Sequence, residues 1–212
     1  MQPHARLPLF PIGLVLFPGV SLPLHLFEPR YRQLLADVQA ADRRFGIVCT
    51  PAGVSERSLP TGLAGCVAEV TEVESFDDGR SNIMIVGRER FALEGIAVDA
   101  APYLVADVVP LPDIAAPGGL VLSLLADELR SHFARVVTAV HVLADDPAAP
   151  LPELPVEPSQ LAWSVASMIE MELVQRQRLL EERSPLARVE QVNALLRTVL
   201  PDLELRAALH GL

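Results

Sequence analysis

Apolar residues change their period once along this chain, and that change constrains the fold more than any motif does. Up to residue 112 they alternate, or run in short blocks between glycine and proline, which is the pattern of strands and turns. From 113 to 212 they recur every three or four residues, which is the pattern of helices. Strands followed by helices, rather than strands alternating with them, predict an α+β fold with one domain over 1–112 and a second over 113–212.

The first half opens with Leu7-Pro8-Leu9-Phe10, then Leu14-Val15-Leu16-Phe17 and a Pro18-Gly19 turn. Proline presets φ at the second position of a type II turn, and glycine supplies the positive φ required at the third. Leu22 to Phe27 continues the extended chain, and Pro23 argues for an edge or a strand start because it cannot donate to a ladder. One helix interrupts the strands. Pro29 suits its first turn, and Tyr31, Leu34, Leu35 and Val38 form a single apolar stripe. The clearest hairpin runs from Gly65 to Gly95 around Asp77-Asp78-Gly79. On its return strand Ile83, Ile85, Phe91 and Leu93 keep one phase across Gly87, so this is one long bent strand or two joined by a glycine kink. A last strand, Tyr103 to Val109, is closed by Pro110 and Pro112. Several short strands with one inserted helix point to a small barrel rather than a parallel sheet.

The second half begins after Pro117-Gly118-Gly119, and Leu122 to Val140 reads as one long helix. A linker with prolines at 147, 150, 152, 155 and 158 cannot be helical. The run from Leu161 through Trp163 and Val165 to Leu173 predicts a helix apolar on most sides, central in a bundle. Ser184 as N-cap and Pro185 at the first helical position start another, which Pro201 is expected to stop. Helices joined by short turns are expected to pack antiparallel.

Composition removes several kinds of chemistry. All 17 basic residues are arginine, so the chain cannot supply a P-loop lysine, a Ser-Lys dyad or a Schiff-base amine. The net charge of −10 repels phosphate backbones and anionic membranes, which makes nucleic acid a poor default partner. No run of 18 apolar residues and no basic-then-apolar leader is present, so the expected location is the cytoplasm, without a membrane partner. Cys49 and Cys66 each lie in an apolar run and read as small buried hydrophobes. Two cysteines cannot build an all-cysteine zinc site, and the scattered histidines, His4, His25, His132, His141 and His210, show no metal-ligand spacing. His132 and His141 face about 180° apart on their helix. No G-x-S-x-G elbow and no phosphate-cradling glycine loop occurs. Glu181-Glu182 and Asp145-Asp146 read as solvated surface, and so do Arg88 and Arg90. Glu28 beside Arg30 and Arg32 reads as the acidic start of a helix paired with an arginine. Neither a catalytic residue, a metal nor a cofactor is expected.

Four segments, in order, resemble the N-terminal (substrate-binding) domain of Lon proteases. They are Leu7-Pro8-Leu9-Phe10-Pro11 through Phe17-Pro18-Gly19 to Leu24; Phe27-Glu28-x-Arg30-Tyr31-Arg32, in the version of stand-alone Lon-like and cereblon-type relatives; Gly65 to Val70; and Gly87 to Phe91. The helical stretch from Gln177 to Leu200 is similar to the part that follows the barrel in Lon. The resemblance implies a PUA-like β-pseudobarrel with one inserted helix, followed by a C-terminal antiparallel helical bundle, standing alone without the ATPase and peptidase. No Walker A segment, Ser-Lys dyad or cereblon-type zinc module matches, so the unfoldase and peptidase roles do not carry over.

The resemblance also implies a function: a non-catalytic module that binds exposed hydrophobic segments of other proteins, as adaptor or holdase. Phe10, Phe17 and Phe27, with Glu28, Arg30 and Tyr31, are the candidate binding residues, on the barrel edge and its seam with the bundle. Assembly with copies of itself stays open. The alternative, from fold analogy alone, is a PUA-like RNA- or nucleotide-binding protein, against which the acidic balance and missing lysine weigh.

Overall fold

The structure is a computed structural model that describes residues 5–50, 53–98, 100–114 and 119–210. Pro117 and Gly118, expected at the start of the second half, and His4 lie outside the described residues. Two compact units emerge, one of residues 1–112 with 171–181, the other of 113–170 with 182–212.

The first unit holds six strands: β1 (Ala5–Ile12), β2 (Ser21–Leu26), β3 (Arg44–Cys49), β4 (Ala64–Ser75), β5 (Ser81–Ile96) and β6 (Leu104–Pro110). Their order is β2-β5-β4-β3-β1-β6, and β6 also pairs with β5. Five strands therefore close into a barrel, and β2 lies outside the ring beside the first half of β5. β1 and β3 pair in parallel and every other pair is antiparallel. Pro23 sits on that outer strand, where a missing N–H costs no ladder bond on the free side.

β5 is a single 16-residue strand, and Gly87 marks where its neighbour changes from β2 to β6. The loop before β2 lies down on it there: Gly19 donates to the Gly87 carbonyl at 2.8 Å and Gly87 donates to that of Val20 at 2.9 Å. A Cβ on residue 87 would stand 2.1 Å from the Phe17 carbonyl oxygen, so only glycine admits this approach. Leu14 to Phe17 is not a strand; it is loop, with Val15, Leu16 and Phe17 buried, and the Pro18-Gly19 turn follows with Gly19 at φ 77°.

Consecutive residues Leu9 and Phe10, Ile47 and Val48, and Cys66 and Val67 fall in different core clusters. These strands bury both faces, which is why their sequences run apolar without alternating. Helix α1 (Pro29–Gln39) lays Tyr31, Leu34, Leu35 and Val38 on the larger cluster, as its stripe predicts. Burying four such side chains contributes roughly 6 kcal/mol or more of transfer free energy.

Helix α4 (Leu173–Glu181) belongs to the sheet unit. Gln177 donates to the Ala64 carbonyl at 3.1 Å, and the buried Arg90 donates to that of Leu180 at 2.6 Å. The helix expected to run from 161 to 173 therefore ends earlier. Helix α3 spans Pro158–Met168, and Ile169 takes extended backbone at φ −108°, ψ 154°, leaving residues 173–181 to meet β4.

The second unit is helical, with α2 (Gly119–Leu143), α3 and α5 (Pro185–His210). Trp163 and its neighbours on α3 are buried on most sides. Arg188 is fully buried, grips Asp113 through both terminal nitrogens at 2.5 and 2.7 Å, and lies 4.3 Å over the Trp163 ring. Two details differ from expectation. Contacts between α2 and α5 climb together, Leu125 with Asn193, Glu128 with Arg197, Arg135 with Glu204, so these two helices run parallel. The antiparallel expectation assumed short turns, whereas the proline-rich linker returns the chain and is held to α2 by Arg130 donating to the Pro155 and Val156 carbonyls. Pro201 does not stop α5. The helix carries through because Leu200 is buried beside it and Glu204, one turn on, accepts from Nε and one terminal nitrogen of Arg135 at 2.8 and 2.9 Å.

Candidate functional site

The residues singled out in the sequence separate into three environments. Phe10 and Phe17 are core, and the Phe10 ring lies 4.1 Å from that of buried Tyr31. Arg30 spans Glu28 at 2.8 Å and Glu56 at 2.6 and 3.0 Å, with its guanidinium 4.4 Å over the Tyr31 ring. The hydrogen bonds to Glu56 raise the Arg30 pKa, and burial pushes the Tyr31 hydroxyl up to about 12. This cluster ties the start of α1 to the short turn Glu56–Ser58. Phe27 alone of the three phenylalanines is open to solvent, at 57%.

Phe27 leads to a surface that sequence reasoning did not assemble. On the outer face of β2, β5 and β4, side chains form two rows set by register: Pro23–Met84–Glu72, then His25–Asn82–Glu74. They border a shallow depression of about 510 Å³. His25 Nδ1 meets the Asn82 side-chain oxygen at 2.8 Å, and the Asn82 amide donates to Glu74 at 3.0 Å. The His25 ring stands 6.1 Å from Phe27 and 6.3 Å from Phe76, making an aromatic end to the second row. Beside this row Arg32 donates to the carbonyls of Phe27 and Asp78, each at 3.0 Å. The row has no nucleophile, and no group of three or more His, Cys, Asp or Glu able to hold a metal occurs among the described residues. Alternation alone could have flagged these outward positions; their adjacency needed the register.

A second surface lies within the helical unit. Val136 and Val140 of α2, Met168 of α3, and Leu195, Val199 and Leu203 of α5 border a groove of about 570 Å³. Val140, Met168 and Val199 are each more than two-fifths exposed, and Glu170, Asp202 and Arg206 supply its polar rim. An apolar concavity with a few charges at its edge accepts apolar side chains of a partner. In the sequence these residues read as ordinary helix stripe, since periodicity does not say which part of a stripe stays uncovered.

Comparison with known proteins agrees with this architecture. Lon protease 2 of Syntrophobacter fumaroxidans is 28% identical over 195 residues, 91% of this chain, and cereblon of Danio rerio is 28% identical over 131 residues. The chain spans about a quarter of the length of that Lon protease and 30% of that cereblon. Among solved structures, a Lon N-terminal domain protein from Xanthomonas campestris superposes with TM-score 0.63 at 24% identity, covering 90% of this chain and 98% of its own. The N-terminal domain of the Mycobacterium avium complex Lon protease gives 0.66 at 16% identity, covering 91% and 98%. These likenesses establish the fold. With residues 6–198 of 212 matched by the family model, the chain belongs to the ATP-dependent protease La (LON) substrate-binding domain family.

Proposed function

We propose that this chain is a non-catalytic recognition module for exposed apolar segments of other proteins, working in the cytoplasm as an adaptor or holdase. The observation that carries the reading is the groove bordered by α2, α3 and α5, which leaves Val140, Met168 and Val199 exposed around an apolar floor. Membership of a substrate-binding family supports the same direction. A nucleic-acid role is not favoured, because the sheet face offers carboxylates where phosphates would need cations.

The test is whether the protein slows aggregation of a chemically unfolded model protein and binds its fluorescently labelled form. Met168→Glu and Val199→Asp place charges at the rim, where the native side chains are partly solvated and folding tolerates them. Each is expected to weaken binding about fivefold to tenfold. Wild-type protein that neither binds nor delays aggregation would refute the reading.

A further inference from the structure

We propose that the outer face of β2, β5 and β4 is a second docking surface, and that its occupant is an extended polypeptide segment of the pattern apolar–x–basic. The inference rests on the protein-recognition reading for its class of partner, and on nothing in the helical groove.

Charge complementarity selects a cation. Glu72 makes no hydrogen bond or ion pair among the described residues, and Glu74 meets only the neutral Asn82 amide. The next carboxylate along β4, Glu69, is treated differently, being held by Arg88 at 3.0 and 3.2 Å and by Arg44 at 3.4 Å. No arginine borders the depression. The two nearby guanidinium groups are engaged elsewhere, Arg80 on Asp78 and Arg32 on two carbonyls. A ligand's lysine or arginine therefore meets carboxylates with no internal competitor, whereas an anionic ligand meets repulsion.

Geometry selects an extended backbone. Successive outward residues on a strand are about 6.8 Å apart, and so are alternate side chains of an extended peptide. A peptide lying along the strands can thus set one side chain over the Pro23–Met84 row and the residue two positions away over the His25–Asn82–Glu74 row. The first row is apolar at its centre, with half-buried Met84 as floor. The second offers Glu74 for charge and the rings of Phe27 and Phe76 for the stem of a long basic side chain. A helical ligand would present neighbours at three and four positions and miss this spacing.

The experiment compares labelled ten-residue peptides carrying Leu-x-Lys, Leu-x-Gln or Leu-x-Glu by fluorescence anisotropy on the full chain. The lysine peptide is expected to bind about threefold to tenfold tighter than the glutamine peptide at low salt, the advantage shrinking as salt rises. In the E72Q/E74Q double variant the advantage should vanish while the glutamine peptide binds as before. Reversing the charges (E72K/E74K) should turn the preference toward the glutamate peptide. Equal affinities for lysine and glutamine peptides, or a preference that survives E72Q/E74Q, would overturn the inference. The recognition reading would still stand if unfolded protein is bound, and both fail if nothing is.

Discussion

Gly87 and Gly95 lie on the same strand and have opposite tolerances. A methyl group at 87 meets the Phe17 carbonyl at 2.1 Å, while one at 95 finds nothing within 4 Å. Gly87→Ala is expected to destabilise the protein by about 2 kcal/mol or more, because the obstruction is backbone that cannot rotate away. Gly95→Ala should be neutral or slightly stabilising through loss of unfolded-state freedom. Urea unfolding of the two variants decides it. Ionisation gives a second prediction. Burial pushes Cys66 from 9.0 up to about 12, and Tyr31 from 10.0 up to about 12. Both groups stay protonated in the folded chain where the unfolded chain ionises. The stability they contribute is therefore intact below pH 9 and declines as pH rises toward about 12. Thermal melts should show the midpoint falling across that window, and a thiol reagent at about pH 8 should leave native Cys66 unmodified.

Elements respond to their neighbours more than to their own composition. α5 runs through Pro201 although an interior proline removes a hydrogen bond and crowds the preceding turn. The cost is met on either side, by burial of Leu200 and by the two bonds from Arg135 to Glu204. Pro201→Ala should therefore raise stability by about 1–3 kcal/mol, read as a higher midpoint in thermal circular dichroism. A lower midpoint would mean that the proline itself is required for packing. α3 shows the reverse case. Its periodicity could have continued to Leu173, but Leu179 and Leu180 are buried on the sheet unit, and the chain leaves the helix at Ile169 to reach it.

For the whole molecule, the composition of the two units matters, because the sheet unit is discontinuous in sequence. A fragment of residues 1–112 lacks α4, so Arg90 loses its Leu180 acceptor and the Ala64 carbonyl loses the Gln177 amide. Losing one acceptor of a buried guanidinium costs roughly 1–3 kcal/mol, beyond the lost burial of two leucines. The fragment is expected to bind a hydrophobic dye and to unfold at markedly lower urea than the full chain. A fragment as stable as the full chain would show that α4 is dispensable to the barrel.

Much of this architecture could be read from local pattern. The stripe of α1, the hairpin at Asp77-Asp78-Gly79 and the Ser184-Pro185 start of α5 all depend on neighbours within a few residues, where sterics and hydrogen bonding act directly, and the Lon-like segments were legible by family likeness. Long-range placement was not legible. Whether Phe10 and Phe17 would be core and Phe27 open, whether α5 would survive Pro201, and which way α2 and α5 would run turned on partners distant in sequence, such as Tyr31 for Phe10 and Glu204 for Arg135. The sheet face follows the same rule. Alternation marks Pro23, His25, Glu72, Glu74, Asn82 and Met84 as outward, but only the register of three strands brings them into two rows. Local propensity is a property of a segment; a surface is a property of what is left uncovered once every segment has found its partners.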